Sequence, residues 1–315
     1  MFDKSSKIYI AGHTGLLGSS IFKLLSQNGY ENIITKTHKE LELTDKVAVE
    51  EFFSKTNIEY IFLCAGKVGG IIGNKTEPAT YLHQNLAIQD NIFEIAIKYD
   101  VKNVIFYGSS CTYPKICEQP MIEEYWLTGA IEETSMGYAA AKIAGMIGCK
   151  SYNIQYNNNR FICVIPNSIY GPNDNFDLEN SHVFSALIRK FHEAKVNGDK
   201  SIILWGSGNP KREFIFSEDV ADASIFLMLN VDKLENTHYN LGTGIDYSIK
   251  ELALNIAMTI GYKGEILWDT SKPDGTPRKI LDSSKFLALG WKPKISFEKG
   301  LNITYKWYKE NYQKS

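Results

Sequence analysis

The sequence predicts an α/β fold, with a doubly wound parallel sheet followed by a smaller α/β region toward the C-terminus. In the first half of the chain, short apolar runs alternate with segments whose apolar residues recur at helical spacing. After about residue 166, the segments become shorter and loops rich in Gly, Pro and Asn separate them. Repeated alternation of strands and helices is typical of a parallel sheet with helices on both faces.

Five short apolar runs are the predicted strands of the first half, at 8–11, 33–34, 60–65, 104–107 and 161–165. The run at 60–65 is apolar throughout, as expected for a strand that is buried on both faces. The predicted helices lie between these runs: one stops at Gly29, a short one surrounds 47–53, and two long ones cover 78–98 and about 137–156.

In the second half, Ser248 with Glu251 three residues later is a capping-box pattern that opens a helix running to Ile260. Gly290 is the expected cap at the end of a helix over 283–289. The sequence contains no internal repeat and no flexible linker. We therefore predict two regions in close contact, the first formed by 1–166 with part of 210–245 and the second mainly by 167–315.

Length and composition exclude several classes of protein. The 315 residues correspond to one large domain or two small ones. A content of 44% hydrophobic and 22% charged residues excludes collagen-like, disordered and coiled-coil chains. The formal charge of −2 gives no indication of a nucleic-acid partner. No apolar run approaches the ~18 residues of a membrane span, and the N-terminus lacks the apolar segment of a secretory signal.

The five cysteines have no Cys-x-x-Cys spacing, which argues against a structural zinc site or a disulfide framework. We expect a cytoplasmic protein with no bound metal, in which most cysteines are small buried apolar residues.

The first strand and the first helix are separated by a glycine-rich loop, Gly12-His13-Thr14-Gly15-Leu16-Leu17-Gly18. Glycines there permit a tight turn, a close approach of the backbone to a pyrophosphate, and close packing of helix on strand. The helix N-terminus offers free N–H groups to the phosphates. The loop predicts dinucleotide binding, and its G-x-x-G-x-x-G spacing resembles the extended short-chain dehydrogenase/reductase superfamily, which implies a Rossmann-like sheet.

The end of the second strand indicates which dinucleotide is bound. An acidic residue there binds the ribose 2′-hydroxyl of NAD, whereas a basic one accommodates the 2′-phosphate of NADP. The sequence has Lys36 and His38 at this point and no acid before Glu40. We therefore predict NADP(H) as the cofactor.

A tyrosine, a lysine and two serines predict a site for hydride transfer. Tyr138 and Lys142 lie four residues apart in a predicted helix and so share a face. An ammonium beside the tyrosine is expected to lower its pKa, so that it can exchange a proton near neutral pH. Ser109 and Ser110 follow the fourth strand, at the sheet edge where ligands bind. A serine there can hydrogen-bond the oxygen of a carbinol or carbonyl.

Further motifs extend over roughly residues 7 to 311. They are Lys67-Val68-Gly69-Gly70-Ile71, Gly108-Ser109-Ser110-Cys111 with Tyr113-Pro114-Lys115, Tyr138-Ala139-x-Ala141-Lys142, Tyr170-Gly171-Pro172-x-Asp174-Asn175-Phe176, Asn180-Ser181-His182-Val183, Trp205-Gly206-Ser207-Gly208, Arg212-Glu213-Phe214 and the segment 271–279. On these motifs the chain resembles the GDP-L-fucose synthase family, the 3,5-epimerase/4-reductases of GDP-4-keto-6-deoxymannose. The resemblance implies a GDP-sugar substrate, bound mainly by the second region.

The resemblance also implies roles for individual residues. Ser109, Tyr138 and Lys142 would form the reductase triad. Cys111 would be the base that removes a proton next to the ketone, and His182 the acid that returns one on the other face. This division of work is chemically reasonable, because a 4-ketone makes the C3 and C5 hydrogens acidic and a thiolate can accept a proton.

Two sets of ligand-binding residues follow from the loop and the resemblance. The cofactor set is Gly12, His13, Thr14, Gly15, Leu16, Leu17, Gly18, Lys36, His38, Leu43, Ala65, Tyr107, Gly108, Ser109, Ser110, Lys142, Pro166, Asn167, Ser168, Ile169 and His182. The nucleotide-sugar set is Lys190, Trp205, Arg212, Asp274 and Lys279.

The sequence departs from the family pattern at a few places. Asn167-Ser168 stands where the family usually has Thr-Asn, Thr14 where it often has Arg, and Met136-Gly137 replaces a more usual residue–Pro. The departures leave the triad intact but leave the sugar open, and also whether both epimerisations occur. One alternative is a 4-reductase alone, acting on a GDP-4-keto hexose or heptose that another enzyme has epimerised.

Other functions fit the sequence less well. A 4,6-dehydratase would need acidic residues after the strand-end serines, where Cys111 and Thr112 supply none. A UDP-sugar 4-epimerase would not need Cys111 and His182 together. A non-catalytic NADP sensor would commonly have lost Tyr138 or Lys142. The family resemblance further implies a homodimer through the helices near 78–98 and 137–156, with no nucleic-acid or membrane partner.

Overall fold

The computed structural model describes residues 2–178, 180–234, 238–272 and 274–312. Pro273, which belongs to the motif at 271–279, lies outside these residues, as does the end of the predicted second region. The helices are α1 (Leu16–Gln27), α2 (Lys46–Ser54), α3 (Ile71–Thr76), α4 (Pro78–Lys98), α5 (Met136–Gln155), α6 (Val183–Asn197), α7 (Ser217–Leu229), α8 (Ile249–Ile260), α9 (Ser284–Ala288) and α10 (Phe297–Asn311). The strands are β1 (Ile8–Ala11), β2 (Ile33–Lys36), β3 (Tyr60–Leu63), β4 (Asn103–Tyr107), β5 (Phe161–Pro166), β6 (Ser168–Tyr170), β7 (Ser201–Trp205), β8 (Lys211–Phe216), β9 (His238–Leu241), β10 (Asp246–Ser248), β11 (Glu265–Asp269) and β12 (Arg278–Lys279).

A parallel six-stranded sheet forms the centre of the molecule, in the spatial order β2-β1-β3-β4-β5-β9. Ile8 of β1 lies opposite Ile33 of β2 on one side and Tyr60 of β3 on the other. The strand order therefore reverses between β1 and β3. Open α/β sheets bind ligands at such a switch point, outside the carboxyl ends of the strands.

Helices cover both faces of this sheet because its strands are apolar on both sides. Along β1, Ile8 and Ile10 face the cluster that holds α1 and α7, whereas Tyr9 and Ala11 face the cluster that holds α2, α4 and α5. All four residues of β1 are buried. This alternation follows from the two-residue period of a strand. The predicted α/β class, with a doubly wound parallel sheet, is confirmed.

The C-terminal region is built on two smaller sheets. β8 pairs with β10, β12 and β6, and β11 pairs with β7 in parallel. A third core cluster joins these sheets to α6, α8 and α10, through side chains such as Phe184, Phe214 and Leu252. The chain passes directly from β8 of the C-terminal region into α7, and it then reaches β9 of the central sheet.

Several local predictions can be compared with the structure. The capping box of α8 is present, since Ser248 Oγ accepts from Glu251 N at 3.1 Å and Glu251 Oε2 accepts from Ser248 N at 2.7 Å. Gly290 follows α9 with a φ of +100°, a value that favours glycine. The third strand ends at Leu63, two residues earlier than predicted. Among the described residues, no helix is both long and apolar enough to cross a membrane.

Candidate active site

The glycine-rich loop lies at the switch point between β1 and β3. Gly12 has a φ of +81°, and a Cβ there would lie 2.8 Å from the backbone nitrogen of Ala65, which follows β3. A Cβ on Gly18 would lie 2.2 Å from the carbonyl oxygen of Gly12. Both glycines are therefore required by close backbone approach, one at the turn and one where α1 packs against it.

The first turn of α1 is open to an anion. Its N-cap residue, Gly15, has no side chain to cap the helix, and the first turn contains no acidic residue. The first N–H groups of a helix have no partner within the helix, and they attract negative charge. The buried Nδ1 of the neighbouring His13 has no hydrogen-bond partner among the described residues. The loop thus fits the pyrophosphate of a dinucleotide.

The basic residues predicted for the 2′-phosphate lie at the end of β2. Lys36 Nζ is 3.9 Å from Glu40 Oε1, and His38 Nε2 is 3.1 Å from Glu42 Oε2. Both pairs are largely exposed, and exposed ion pairs contribute only about 0–1 kcal/mol. A phosphate with two negative charges can therefore compete with the glutamates for these side chains.

Two residues of the predicted cofactor set point their side chains into the core. Leu43 packs in the cluster under α2 and α4, and its carbonyl accepts from Asn91 Nδ2 at 2.8 Å. Tyr107 donates its hydroxyl to Ser224 Oγ at 2.8 Å, within the opposite cluster. These two residues can meet a cofactor only through their backbone. Leu17 of the loop packs its side chain in the same cluster as Tyr107. The other members lie in the loop, at the carboxyl ends of β2 to β5 or in β6, except Lys142 on α5 and His182 at the N-cap of α6.

Ser109, Tyr138 and Lys142 come together at the carboxyl end of β4. Ser109 follows that strand, and its hydroxyl interacts with the hydroxyl of Tyr138 on α5. Lys142, one turn later on α5, is only 6% exposed and donates from Nζ to the carbonyl oxygen of Tyr107 at 2.8 Å. Its Nζ lies 5.9 Å from the centre of the Tyr138 ring.

The protonation of this group differs from the sequence-based expectation. Burial raises the pKa of Tyr138, and the charge of Cys111 adds to that effect, while the Ser109 hydrogen bond opposes it. The expected net lowering of the Tyr138 pKa is not found, because burial of the phenol raises the pKa more than its hydrogen bond with Ser109 lowers it. Burial also lowers the pKa of Lys142 to about 8. A tyrosine with a raised pKa carries its proton at neutral pH, as a proton donor to a ketone must.

Cys111 lies in the short 3₁₀ turn after Ser109 and is half-buried. Lys279 Nζ is 3.8 Å from its Sγ. Arg212 also lies within electrostatic reach of Cys111: burial lowers the pKa of Arg212, and the charge of Cys111 opposes that. The thiolate is the form of cysteine that accepts a proton, and these two cations can balance its charge.

His182 is an exposed residue at the N-cap of α6. The segment before it is held by the glycine pair of the 67–71 motif, since Gly70 N donates to Asn180 O at 3.0 Å. A Cβ on Gly70 would lie 2.8 Å from the carbonyl oxygen of Ser181. No hydrogen bond joins His182 to Cys111 in the described part of the chain. The role of His182 as an acid stays a prediction.

The residues predicted for the nucleotide-sugar form a line that leads away from Cys111. After Lys279 comes Arg212, whose Nη1 donates to Thr276 O at 2.6 Å. Its Nη2 lies 2.9 Å from where a Cβ on Gly275 would be, so the guanidinium packs directly on that glycine. Two cations near the reacting centre are suited to a diphosphate.

The line continues to Asp274 and Trp205. Asp274 accepts from the backbone nitrogen and the hydroxyl of Ser207, at 2.8 and 2.6 Å. Trp205 is 60% exposed, with Lys190 Nζ 5.6 Å from its ring centre. An exposed indole flanked by a cation offers a surface for a planar base. The binding of a nucleotide-sugar by these five residues stays a prediction.

Two residues of this region lie in motifs named above but were given no role from the sequence. Lys272, in the motif at 271–279, has its Nζ 5.6 Å from the centre of the Trp205 ring. Glu213 is fully buried between β8 and the central sheet. A signal for Glu213 existed, because an acid that directly precedes the apolar residues Phe214–Phe216 in a strand is expected to be buried and must then find donors. Within the described residues, no group of three or more His, Cys, Asp or Glu side chains could hold a metal ion.

Comparisons with known proteins agree with this geometry. A model of the NAD dependent epimerase/dehydratase family matches residues 8–242. GDP-L-fucose synthase 1 of Arabidopsis thaliana is 49% identical over 311 residues, which cover 99% of this chain and 95% of the relative. A GDP-6-OMe-4-keto-L-xylo-heptose reductase from C. jejuni has a similar structure, with a TM-score of 0.93 and 39% identity over 98% of this chain and 99% of that one.

A second structure, a GDP-mannoheptose C4 reductase from Campylobacter jejuni with NADP bound, has a TM-score of 0.90. It is 41% identical and covers 98% of this chain and 100% of that one. The family model and the high-coverage relatives assign the chain without conflict. The chain belongs to the NAD dependent epimerase/dehydratase family and, within it, to the GDP-L-fucose synthase family.

Proposed function

We propose that the protein reduces the C4 ketone of a GDP-4-keto-6-deoxy sugar with NADPH and also epimerises C3 and C5 of that sugar. The observation that carries this proposal is the meeting of two chemical groups at the end of β4. One is the Ser109–Tyr138–Lys142 cluster, and the other is Cys111 with Lys279 at 3.8 Å. The first suits reduction of a ketone, and the second suits removal of a proton beside it.

In the reduction, the glycine-rich loop would hold NADPH, which when bound would supply a hydride for C4. The Ser109 hydroxyl orients the C4 oxygen, and Tyr138 donates its proton to that oxygen as negative charge develops. The raised pKa of Tyr138 keeps the phenol protonated until then. The Lys142 ammonium, held by the Tyr107 carbonyl, stabilises the phenolate that remains.

In the epimerisation, Cys111 removes a proton from the carbon next to the ketone, and its thiol form results. The electron pair moves onto the C4 oxygen, where the Ser109 and Tyr138 hydroxyls stabilise the enolate. Return of a proton from the opposite face inverts the carbon, and His182 is our candidate for that donor. Reduction must come last, because it removes the ketone that makes these hydrogens acidic.

The names of similar proteins support the substrate and the cofactor. GDP-L-fucose synthase 1 and the two C. jejuni reductases are named for GDP-sugars, and one of these structures holds NADP. The protein is accordingly an NADP(H)-dependent oxidoreductase/epimerase. The five unpaired cysteines favour a reducing compartment, and a cytoplasmic location is part of the proposal.

The activity is tested by mixing the protein with NADPH and GDP-4-keto-6-deoxymannose and following NADPH absorbance. We expect oxidation of one NADPH per sugar, and a loss of about 10²–10⁴-fold in kcat for Tyr138→Phe. The matched control is Tyr156→Phe, an exposed tyrosine just after α5. If no GDP-4-keto sugar oxidises NADPH, the proposed function is wrong.

A second candidate is 4-reduction alone, of a GDP-4-keto hexose or heptose epimerised elsewhere. Two observations favour it. Two structural neighbours, with 39% and 41% identity, are named as reductases of GDP-heptoses. Asn167-Ser168 also replaces the Thr-Asn that the family usually has, and Asn167 is tied by Nδ2 to Glu213 Oε2 at 2.5 Å. This candidate predicts NADPH oxidation without any exchange of the C3 and C5 hydrogens with solvent.

A homodimer through α4 and α5 is the quaternary part of the proposal. These helices lie side by side, and Gln89 Nε2 of α4 donates to Ala141 O of α5 at 2.9 Å. A groove of about 390 Å³ runs along them, lined by residues such as Ala87, Ala144 and Tyr152. Small residues and aromatic side chains in a shared groove suit close packing of helices from a second copy.

A further inference from the structure

We propose that Glu213 is a positioning residue, which sets Lys279 beside Cys111 and ties that pair to the strand ends of the central sheet. The inference rests on the proposed role of Cys111 as a base. Glu213 lies on β8 between Arg212 and Phe214 and is 0% exposed. Successive side chains of a strand point to opposite faces, so Glu213 points away from the third core cluster, which contains Phe214.

Both carboxyl oxygens of Glu213 accept hydrogen bonds from separate loops. Oε1 accepts from Thr243 N and Gly244 N, each at 2.7 Å, in the loop after β9. Oε2 accepts from Asn167 Nδ2 at 2.5 Å, after β5, and from Leu281 N at 3.0 Å, after β12. Each oxygen therefore bonds at least two N–H groups. A buried polar group with this many partners fixes the relative position of the segments that carry them.

The bond to Leu281 is the one that reaches the site. Lys279 is two residues earlier, at the end of β12. The residue between them, Ile280, is held from the other side: its N donates to Gln119 Oε1 at 2.9 Å, and its O accepts from Met121 N at 2.8 Å. Hydrogen bonds therefore hold the backbone of residues 280–281 on both sides. This fixes the position from which the Lys279 side chain extends to Cys111.

The surroundings of Glu213 leave no room for an alternative arrangement. A Cβ on Gly242 would lie 2.4 Å from Oε1 of the carboxyl group. An amide in place of the carboxyl keeps one acceptor oxygen and turns two donors toward two other donors. Glu213→Gln must therefore break contacts either with the loop after β9 or with Asn167 and Leu281. In both cases Leu281, and with it Lys279, is no longer tied through residue 213 to the loop after β9, so the position of Lys279 beside Cys111 is lost.

The test measures how fast iodoacetamide alkylates Cys111 in the full-length protein at pH 7, by mass spectrometry of the modified peptide. Neither substrate nor cofactor is present, so the result is independent of whether the proposed activity is found. A cation beside a thiol favours its reactive form. Lys279→Met should slow alkylation about three- to tenfold, and Glu213→Gln should do the same, the change expected when one or two hydrogen bonds are lost.

Two comparisons separate positioning from general stability. The double variant should be no slower than Lys279→Met alone, because Glu213 acts through Lys279. Asp219→Asn is the matched control: Asp219 is also buried and accepts from two backbone N–H groups, of Lys294 and Ile295, but far from Cys111 in the hydrogen-bond network. It should lower the melting temperature and leave the rate at Cys111 unchanged.

The proposal is overturned if Glu213→Gln leaves the Cys111 rate unchanged, or raises it, or slows it further in the Lys279→Met background. Should Glu213→Gln not fold, Gln119→Ala removes the clamp from the other side of Ile280. It should slow alkylation of Cys111 in the same way, and an unchanged rate there would equally contradict the proposal.

Discussion

Replacing Lys142 by methionine should change how stability depends on pH. Burial lowers the pKa of Lys142 from the ordinary 10.5 to about 8 in the folded protein. The unfolded chain therefore binds one more proton than the folded chain between these pH values. Because the unfolded state holds the extra proton, the free energy of unfolding rises with pH across this window. The difference between the two pKa values corresponds to about 3 kcal/mol in the free energy of unfolding.

Methionine has a similar length and no charge, so Lys142→Met removes this dependence. The free energy of unfolding of the natural protein, minus that of the variant, should rise by about 3 kcal/mol between pH 7 and pH 11. Urea unfolding followed by circular dichroism at four pH values measures it. Lys150→Met is the control, because Lys150 is an exposed lysine on the same helix. A difference that stays flat with pH would refute the reasoning about the buried ammonium.

Three other outcomes follow from the geometry. Gly18→Ala should abolish cofactor binding or folding, since its Cβ would lie 2.2 Å from Gly12 O; dye-based melting with and without NADPH measures both. Lys36→Ala should lower the ratio of kcat/KM for NADPH over NADH about tenfold, as one charge-assisted hydrogen bond to the 2′-phosphate is lost, while an unchanged ratio would place that phosphate elsewhere. Ala144→Arg should convert the proposed dimer to a monomer in light scattering, with the helical content retained; a persistent dimer would exclude the α4–α5 face.

Much of the fold could be predicted because its signals are local. The long helix α4 begins at Pro78 and ends at Lys98, the bounds that periodicity and the proline at its start indicate. The helix α3 was missed. Its sequence begins after Gly69-Gly70 and contains Gly73, and glycine disfavours helices. Gly73 is needed because the hydroxyl of Tyr81 would lie 2.6 Å from a Cβ there, a contact that no local pattern reveals.

In the site, too, features set by neighbouring residues could be predicted, whereas features set by residues far away in the sequence could not. The spacing of Tyr138 and Lys142 follows from helix geometry, so their common face was predictable. The direction of the Lys142 side chain depends on the Tyr107 carbonyl, 35 residues away. The pKa of Tyr138 is raised rather than lowered because its phenol is buried by tertiary packing, which the spacing of the two residues does not reveal. Glu213 was recognised only as part of a motif, and its contacts could not be predicted because its partners lie in loops 30 to 68 residues away.

The central claim is that one site both epimerises and reduces. Incubation with GDP-4-keto-6-deoxymannose in deuterium oxide, with product analysis by NMR, tests it most directly. We expect deuterium at C3 and C5 together with NADPH oxidation. We also expect Cys111→Ser to abolish the deuterium incorporation but still to reduce a sugar that is already epimerised. Incorporation at an unchanged rate in Cys111→Ser, or NADPH oxidation by the natural protein with no deuterium at either carbon, would contradict the account.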